Sequence, residues 1–111
     1  DRGQDGAAIA EFRTAIKLRP NEPDPYLELG MTLMNAGRRT EGIREVEKAL
    51  IWDPLNPTGI GIMAFNAIEQ KDREQADYWL RQVDRQPRLE STQVNRLHDV
   101  YRQAFGERWE G

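Results

Sequence analysis

The sequence predicts an all-α protein of about six helices, and three observations carry that prediction. Apolar residues recur at i, i+3 and i+4 in six successive stretches, no stretch alternates apolar and polar residues as a half-buried strand would, and Pro or Gly punctuates the gaps. The stretches are also related to one another, because the same order of small and large residues returns at an offset of 34. Helices that recur in this way form pairs, each pair burying what its neighbour leaves open.

The first helix is expected from an Asp5 cap through Ala7 to about Leu18, with Ala8, Ile9, Phe12, Ala15 and Ile16 on one stripe; Arg19-Pro20 stops it. A second starts near Pro23 to Pro25, where proline is tolerated in a first turn, and runs to about Ala36 before Gly37. Thr40 is expected to cap a third, Glu41 to Trp52, halted by Asp53-Pro54. The fourth follows Asn56-Pro57 from Thr58 to about Lys71, its first turn weakened by Gly59 and Gly61. Asp72 with Gln75 reads as a capping box for the fifth, which ends before Pro87. Ser91 or Thr92 is expected to cap the sixth, which reaches Phe105 and ends at Gly106, leaving residues 107–111 as a frayed tail.

At the offset of 34, Ala8, Gly42 and Ala76 align, as do Phe12, Val46 and Leu80, Ala15, Ala49 and Val83, and Pro20 and Pro54. The other half aligns Tyr26, Ile60 and Val94, then Leu29, Met63 and Leu97, then Gly30, Ala64 and His98, then Leu33, Ala67 and Tyr101. A helix-turn-helix unit of this period and pattern resembles the tetratricopeptide repeat (TPR) family. The resemblance implies a right-handed superhelical stack of antiparallel helix pairs in a single domain over residues 1–111. Residues 1–22 supply the second helix of a partial repeat, 23–56 a complete repeat, 57–90 a divergent one, and 91–111 a capping helix and tail. His98 stands where a small residue is usual, which is why the last helix reads as a cap. Trp52 is expected in the core between repeats, Trp79 partly exposed, and Trp109 is left open between packing back and meeting a partner.

Composition narrows the function. With 16 basic against 19 acidic residues and a net charge of -3, the chain lacks the basic excess of a nucleic-acid binder. It has no Cys and one His, His98, so thiolate or paired-histidine metal sites and Cys nucleophiles are excluded, and no cofactor is expected. No apolar run approaches the roughly 20 residues that span a bilayer. A soluble domain is expected, cytoplasmic or periplasmic, without direct membrane insertion. Arg predominates over Lys, which occurs only at Lys17, Lys48 and Lys71, and this suggests a GC-rich bacterial source. The Asp1 start suggests a fragment of something longer. Glu41, Glu45, Glu69 and Asp72 read as solvated or helix-start carboxylates and His98 as structural, so no residue is assigned a catalytic role.

In the resembling family the first helices line a concave groove, and ligand contacts come from positions beside the core stripe. Here Leu27, Met31, Met34, Phe65 and Ile68 would floor it, flanked by Asn35 and Glu69, with Arg96 and Asp99 among the polar residues of the last helix. Leu27, Met31, Gly61 and Phe65 occupy places where a polar clamp for a peptide's C-terminus would be needed, so that specialised activity is not implied. The reading is a non-catalytic scaffold that binds a protein or peptide, extended or helical, in an apolar groove. Two alternatives stand beside it: a regulatory or substrate-orienting domain of a larger, membrane-attached bacterial enzyme or assembly, and a self-association module dimerising through its open N-terminal end.

Overall fold

The computed structural model describes residues 2–111, with side chains from Asp5 onward. Six helices follow one another: α1 (Arg2–Leu18), α2 (Pro23–Asn35), α3 (Arg39–Trp52), α4 (Pro57–Glu69), α5 (Arg73–Arg85) and α6 (Ser91–Phe105). No strand occurs among the described residues, and the fold is an all-α helical repeat. The chain divides into two compact units, Asp1–Pro54 and Leu55–Gly111.

In the first unit α2 packs against both α1 and α3. Its buried face is Tyr26, Leu27, Leu29, Gly30 and Leu33, met from α3 by Gly42, Val46 and Ala49. The closest approach is glycine to glycine. A Cβ on Gly30 would lie 2.8 Å from the Gly42 carbonyl oxygen and 2.8 Å from Val46 Cγ2, and one on Gly42 would lie 2.5 Å from the Gly30 carbonyl oxygen. The missing side chains let two backbones touch. The Tyr26 hydroxyl donates to the Pro20 carbonyl at 2.7 Å, fastening the start of α2 to the turn that ends α1.

The second unit packs α4, α5 and α6 against one another. Ile60, Ala64, Ile68, Ala76, Leu80 and Val83 are buried, with Leu97 and Tyr101 contributed by α6. Ala64 and Ala76, at the positions of Gly30 and Gly42, are both fully buried. Asn56, the N-cap of α4, accepts from the Gly59 N–H at 3.0 Å. Gln86 occupies the repeat position held earlier by Leu18 and Trp52, yet it is buried. Its amide donates to the Leu55 carbonyl and its Oε1 accepts from the Arg88 N–H at 2.9 Å, so one side chain ties the loop before α4 to the loop after α5.

The turns within the helix pairs are built alike. After α2, Gly37 at φ 84 donates to Met34 O and Arg38 N–H to Leu33 O at 2.8 Å, a Schellman closure. After α4 the same pair of bonds runs from Lys71 to Ile68 O and from Asp72 to Ala67 O, with Lys71 at φ 55. A lysine there carries left-handed strain of about 1–2 kcal/mol, against about 0.5–1 kcal/mol of extra backbone entropy lost by a glycine. Lys71→Gly is therefore expected to stabilise the fold by on the order of 0.5–1 kcal/mol in a urea titration, and Gly37→Ala to destabilise it.

Three helix starts differ from the expected caps. Arg38, not Thr40, precedes α3; the residue that closes α2 also opens the next helix, and Arg38 forms a two-bonded pair with Glu41 at 2.9 and 2.7 Å. Glu90, not Ser91 or Thr92, precedes α6, its N–H donating to the Gln93 side chain at 3.1 Å. Asp5 lies inside the first turn of α1, where its charge faces the helix dipole. Asp72 does cap α5, accepting from the Gln75 N–H at 3.2 Å. Trp52, expected in the core, is 49% exposed, because the buried stripe of α3 ends one turn earlier at Ala49. Its counterpart Leu18 is 77% exposed.

Candidate functional site

Helices α2, α4 and α6 are equivalent under the 34-residue offset, so their surfaces can be compared position by position. Met31, Phe65 and Asp99 occupy the same place, and all are exposed. Met31 is 38% and Phe65 40% accessible, large apolar side chains held open at matching points of two units. Leu27, Gly61 and Asn95 share the position one turn earlier. Leu27 is buried at 4%, whereas a Cβ on Gly61 would meet open space.

The structure removes Leu27 and Ile68 from the expected binding surface. Each first helix packs against two others, so its buried arc is wider than one stripe and takes in Leu27 in the first unit and Ile68, at 0% exposure, in the second. Met34 is half-buried, its Cγ filling the space beside Gly42. Asn35, Glu69, Arg96 and Asp99 are exposed. The residues named from sequence thus separate into an outward set, Met31 and Asn35 in one unit and Phe65, Glu69, Arg96 and Asp99 in the other, and an inward set that supports it.

The second unit contains an arrangement that sequence reading missed. After α6 the chain turns through Gly106 at φ 70, and the expected frayed tail is instead docked. Glu107 pairs with Arg73, the Trp109 ring meets Tyr101 edge-on at 5.4 Å, and the Trp109 indole N–H donates to Asp84 Oδ2 at 2.6 Å. His98 Nε2 hydrogen-bonds to the other oxygen, Asp84 Oδ1, at 2.8 Å. The Tyr101 hydroxyl donates to Asp77 at 2.8 Å; burial, then that hydrogen bond, pushes its phenol above the ordinary tyrosine range. Arg73 lies over the Phe105 ring at 5.4 Å, and its hydrogen bond to Glu107 raises the guanidinium further. The available signal was a tryptophan just past a helix-ending glycine, eight residues after Tyr101; its partner Asp84, on another helix, leaves no trace in local spacing.

Around this junction Asn95, His98, Asp99, Arg102, Arg108 and Trp109 line an open pocket of about 220 Å³. A smaller one of about 110 Å³, lined by Met63, Asn66, Gln70, Gln75 and Trp79 among others, lies along α4 and α5. Three of the four carboxylates considered in sequence have local work: Glu41 pairs with Arg38, Glu45 with Lys48 at 3.0 Å, and Asp72 caps α5. Among the described residues no three His, Asp or Glu side chains gather into a metal-binding group, and no helix is long and apolar enough to cross a membrane.

Comparison with known proteins agrees with this architecture. A family model described as TPR repeat matches residues 1–37. The chain is 26% identical over 104 residues to the "Cellulose synthase operon protein C" of Escherichia coli (strain K12), and equally to the "Putative cellulose synthase operon protein C" of Escherichia coli O157:H7. Each alignment covers 94% of this chain and 8% of the relative, so the chain spans less than a tenth of the length of these proteins. Matched by the repeat model at its start and carrying the 34-residue helix-pair pattern through both units, the chain is similar to proteins of the tetratricopeptide repeat family.

Proposed function

We propose that the chain is a non-catalytic binding module for a peptide or helix of a partner protein, with Met31 and Phe65 as its apolar contacts. TPR repeats generally mediate protein-protein interaction. The observation that carries the finer reading is the coincidence of exposure and position: two large apolar side chains, unrelated in local sequence, stand open at equivalent places on α2 and α4. Packing does not need them there, because Leu27, Leu29 and Leu33, and Ile60, Met63 and Ile68, already fill the inward faces. Asn35 and Glu69, each one turn further on, add polar contacts at the edge.

The test is Met31→Arg and Phe65→Arg, singly and together, with thermal melting to follow the fold and co-purification from the native host to follow partner capture. Unchanged melting, within about 0.5 kcal/mol as for ordinary surface changes, with capture lost supports the reading. Loss of fold, or capture that survives both changes, removes it. Light scattering over a concentration series separates a foreign partner from a second copy of the chain, the self-association alternative.

A second reading concerns context. Because the alignment takes in nearly this whole chain and a small share of relatives named for a cellulose synthase operon, the module serves as one repeat segment of a longer bacterial protein within such a system. Genes flanking the native open reading frame, and the frame's full length, test this directly.

A further inference from the structure

We propose that the pocket beside α6 takes one carboxylate group, the side chain of an Asp or Glu in a bound protein segment. The source of that carboxylate rests on the interaction reading above; the site itself stands on its own geometry. Its roughly 220 Å³ fall below the about 300–1,000 Å³ that enclose a whole small ligand, so it suits a single functional group of something larger.

The lining carries two guanidinium groups, Arg102 and Arg108, against one carboxylate, Asp99. Asp99 satisfies Arg102 poorly: their separation is 3.8 Å, well beyond a charge-assisted hydrogen bond of about 2.7–2.9 Å. Arg108 enters no ion pair among the described residues. Asp84, the nearby carboxylate, does not line the pocket; its two oxygens are occupied by His98 and Trp109. The lining therefore has a surplus of one positive charge with unspent planar donors, which matches a monoanionic, two-oxygen acceptor better than a dianion. The Asn95 amide offers a further donor, and the Trp109 ring, fixed against Tyr101, gives the stem of an incoming side chain an apolar wall. Arg108 and Trp109 lie past α6, so the site depends on the docked tail as well as on the repeat.

The experiment is an NMR titration of the 111-residue chain with N-acetylglutamate amide, inorganic phosphate and sodium chloride at matched ionic strength. The reporters are the Trp109 indole N–H, assigned by Trp109→Phe, and the arginine side-chain N–H groups. Saturable shifts with the glutamate probe are expected, weakened at least five-fold by Arg108→Gln and by Arg102→Gln, with melting unchanged. Tighter binding of phosphate would overturn the carboxylate assignment; linear shifts, an equal response to chloride, or indifference to both arginine changes would overturn the site. Met31→Arg and Phe65→Arg should leave the titration unaltered, so that a failure of partner capture and a failure of this pocket are read separately.

Discussion

Gly30→Leu is expected to destabilise the first unit by about 3 kcal/mol or more, at the upper end of what overpacking costs. Even a methyl group on Gly30 would press on the Gly42 carbonyl oxygen and on Val46 Cγ2, each at 2.8 Å. The carbonyl cannot rotate away, since it belongs to an α3 helix held by its own hydrogen-bond ladder, so α2 and α3 must separate along their length. That separation opens gaps around Leu29, Leu33, Val46 and Ala49, which are now sealed from solvent. The change thus combines steric strain with lost burial. Gly61→Ala is the matched control, because a Cβ there meets nothing within 4 Å. It is expected to stabilise α4 by about 0.5–1 kcal/mol, the usual gain when alanine replaces an unneeded helical glycine. Chemical denaturation of the two variants measures both signs; a neutral Gly30→Leu would mean that the crossing is not where the repeat pattern places it.

Ile68→Ala should cost about 2–5 kcal/mol, while its neighbour Phe65→Ala should change stability by less than about 1 kcal/mol. Ile68 is completely buried, and removing its outer carbons leaves a cavity that three packed helices can close only partly. Phe65, three residues earlier on α4, keeps 40% of its surface in water and loses less on truncation. The pair separates residues that hold the proposed binding face from residues that would present it. Equal losses for both would place Phe65 in the core and remove it from the proposed contact surface.

Much of this was legible in the sequence because it is local. Helix periodicity, Pro20 and Pro54 as stops, Gly37 and Gly106 as closures, and the Asp72 cap all act within a turn or two of the residues that encode them. The repeat was legible because it restates one local pattern, so that Gly30 aligned with Ala64, and Gly42 with Ala8 and Ala76, as recurring small residues before any distance was known. Errors arose where the outcome depends on elements distant in sequence. Leu27 and Met31 are both apolar and beside the core stripe, and periodicity treats them alike; only the positions of the flanking helices bury the first and leave the second open. Trp52 has the composition of a core residue, yet it falls one turn past the last buried position of α3.

The tail marks the same boundary most clearly. By itself the sequence determined six helices, their pairing and their period, because backbone hydrogen bonding and apolar spacing are properties of short stretches. Only the tertiary structure decided which apolar residues face water and how Trp109, Asp84, His98 and Arg73 meet, because burial and side-chain pairing are set by helices that approach through space from remote parts of the chain.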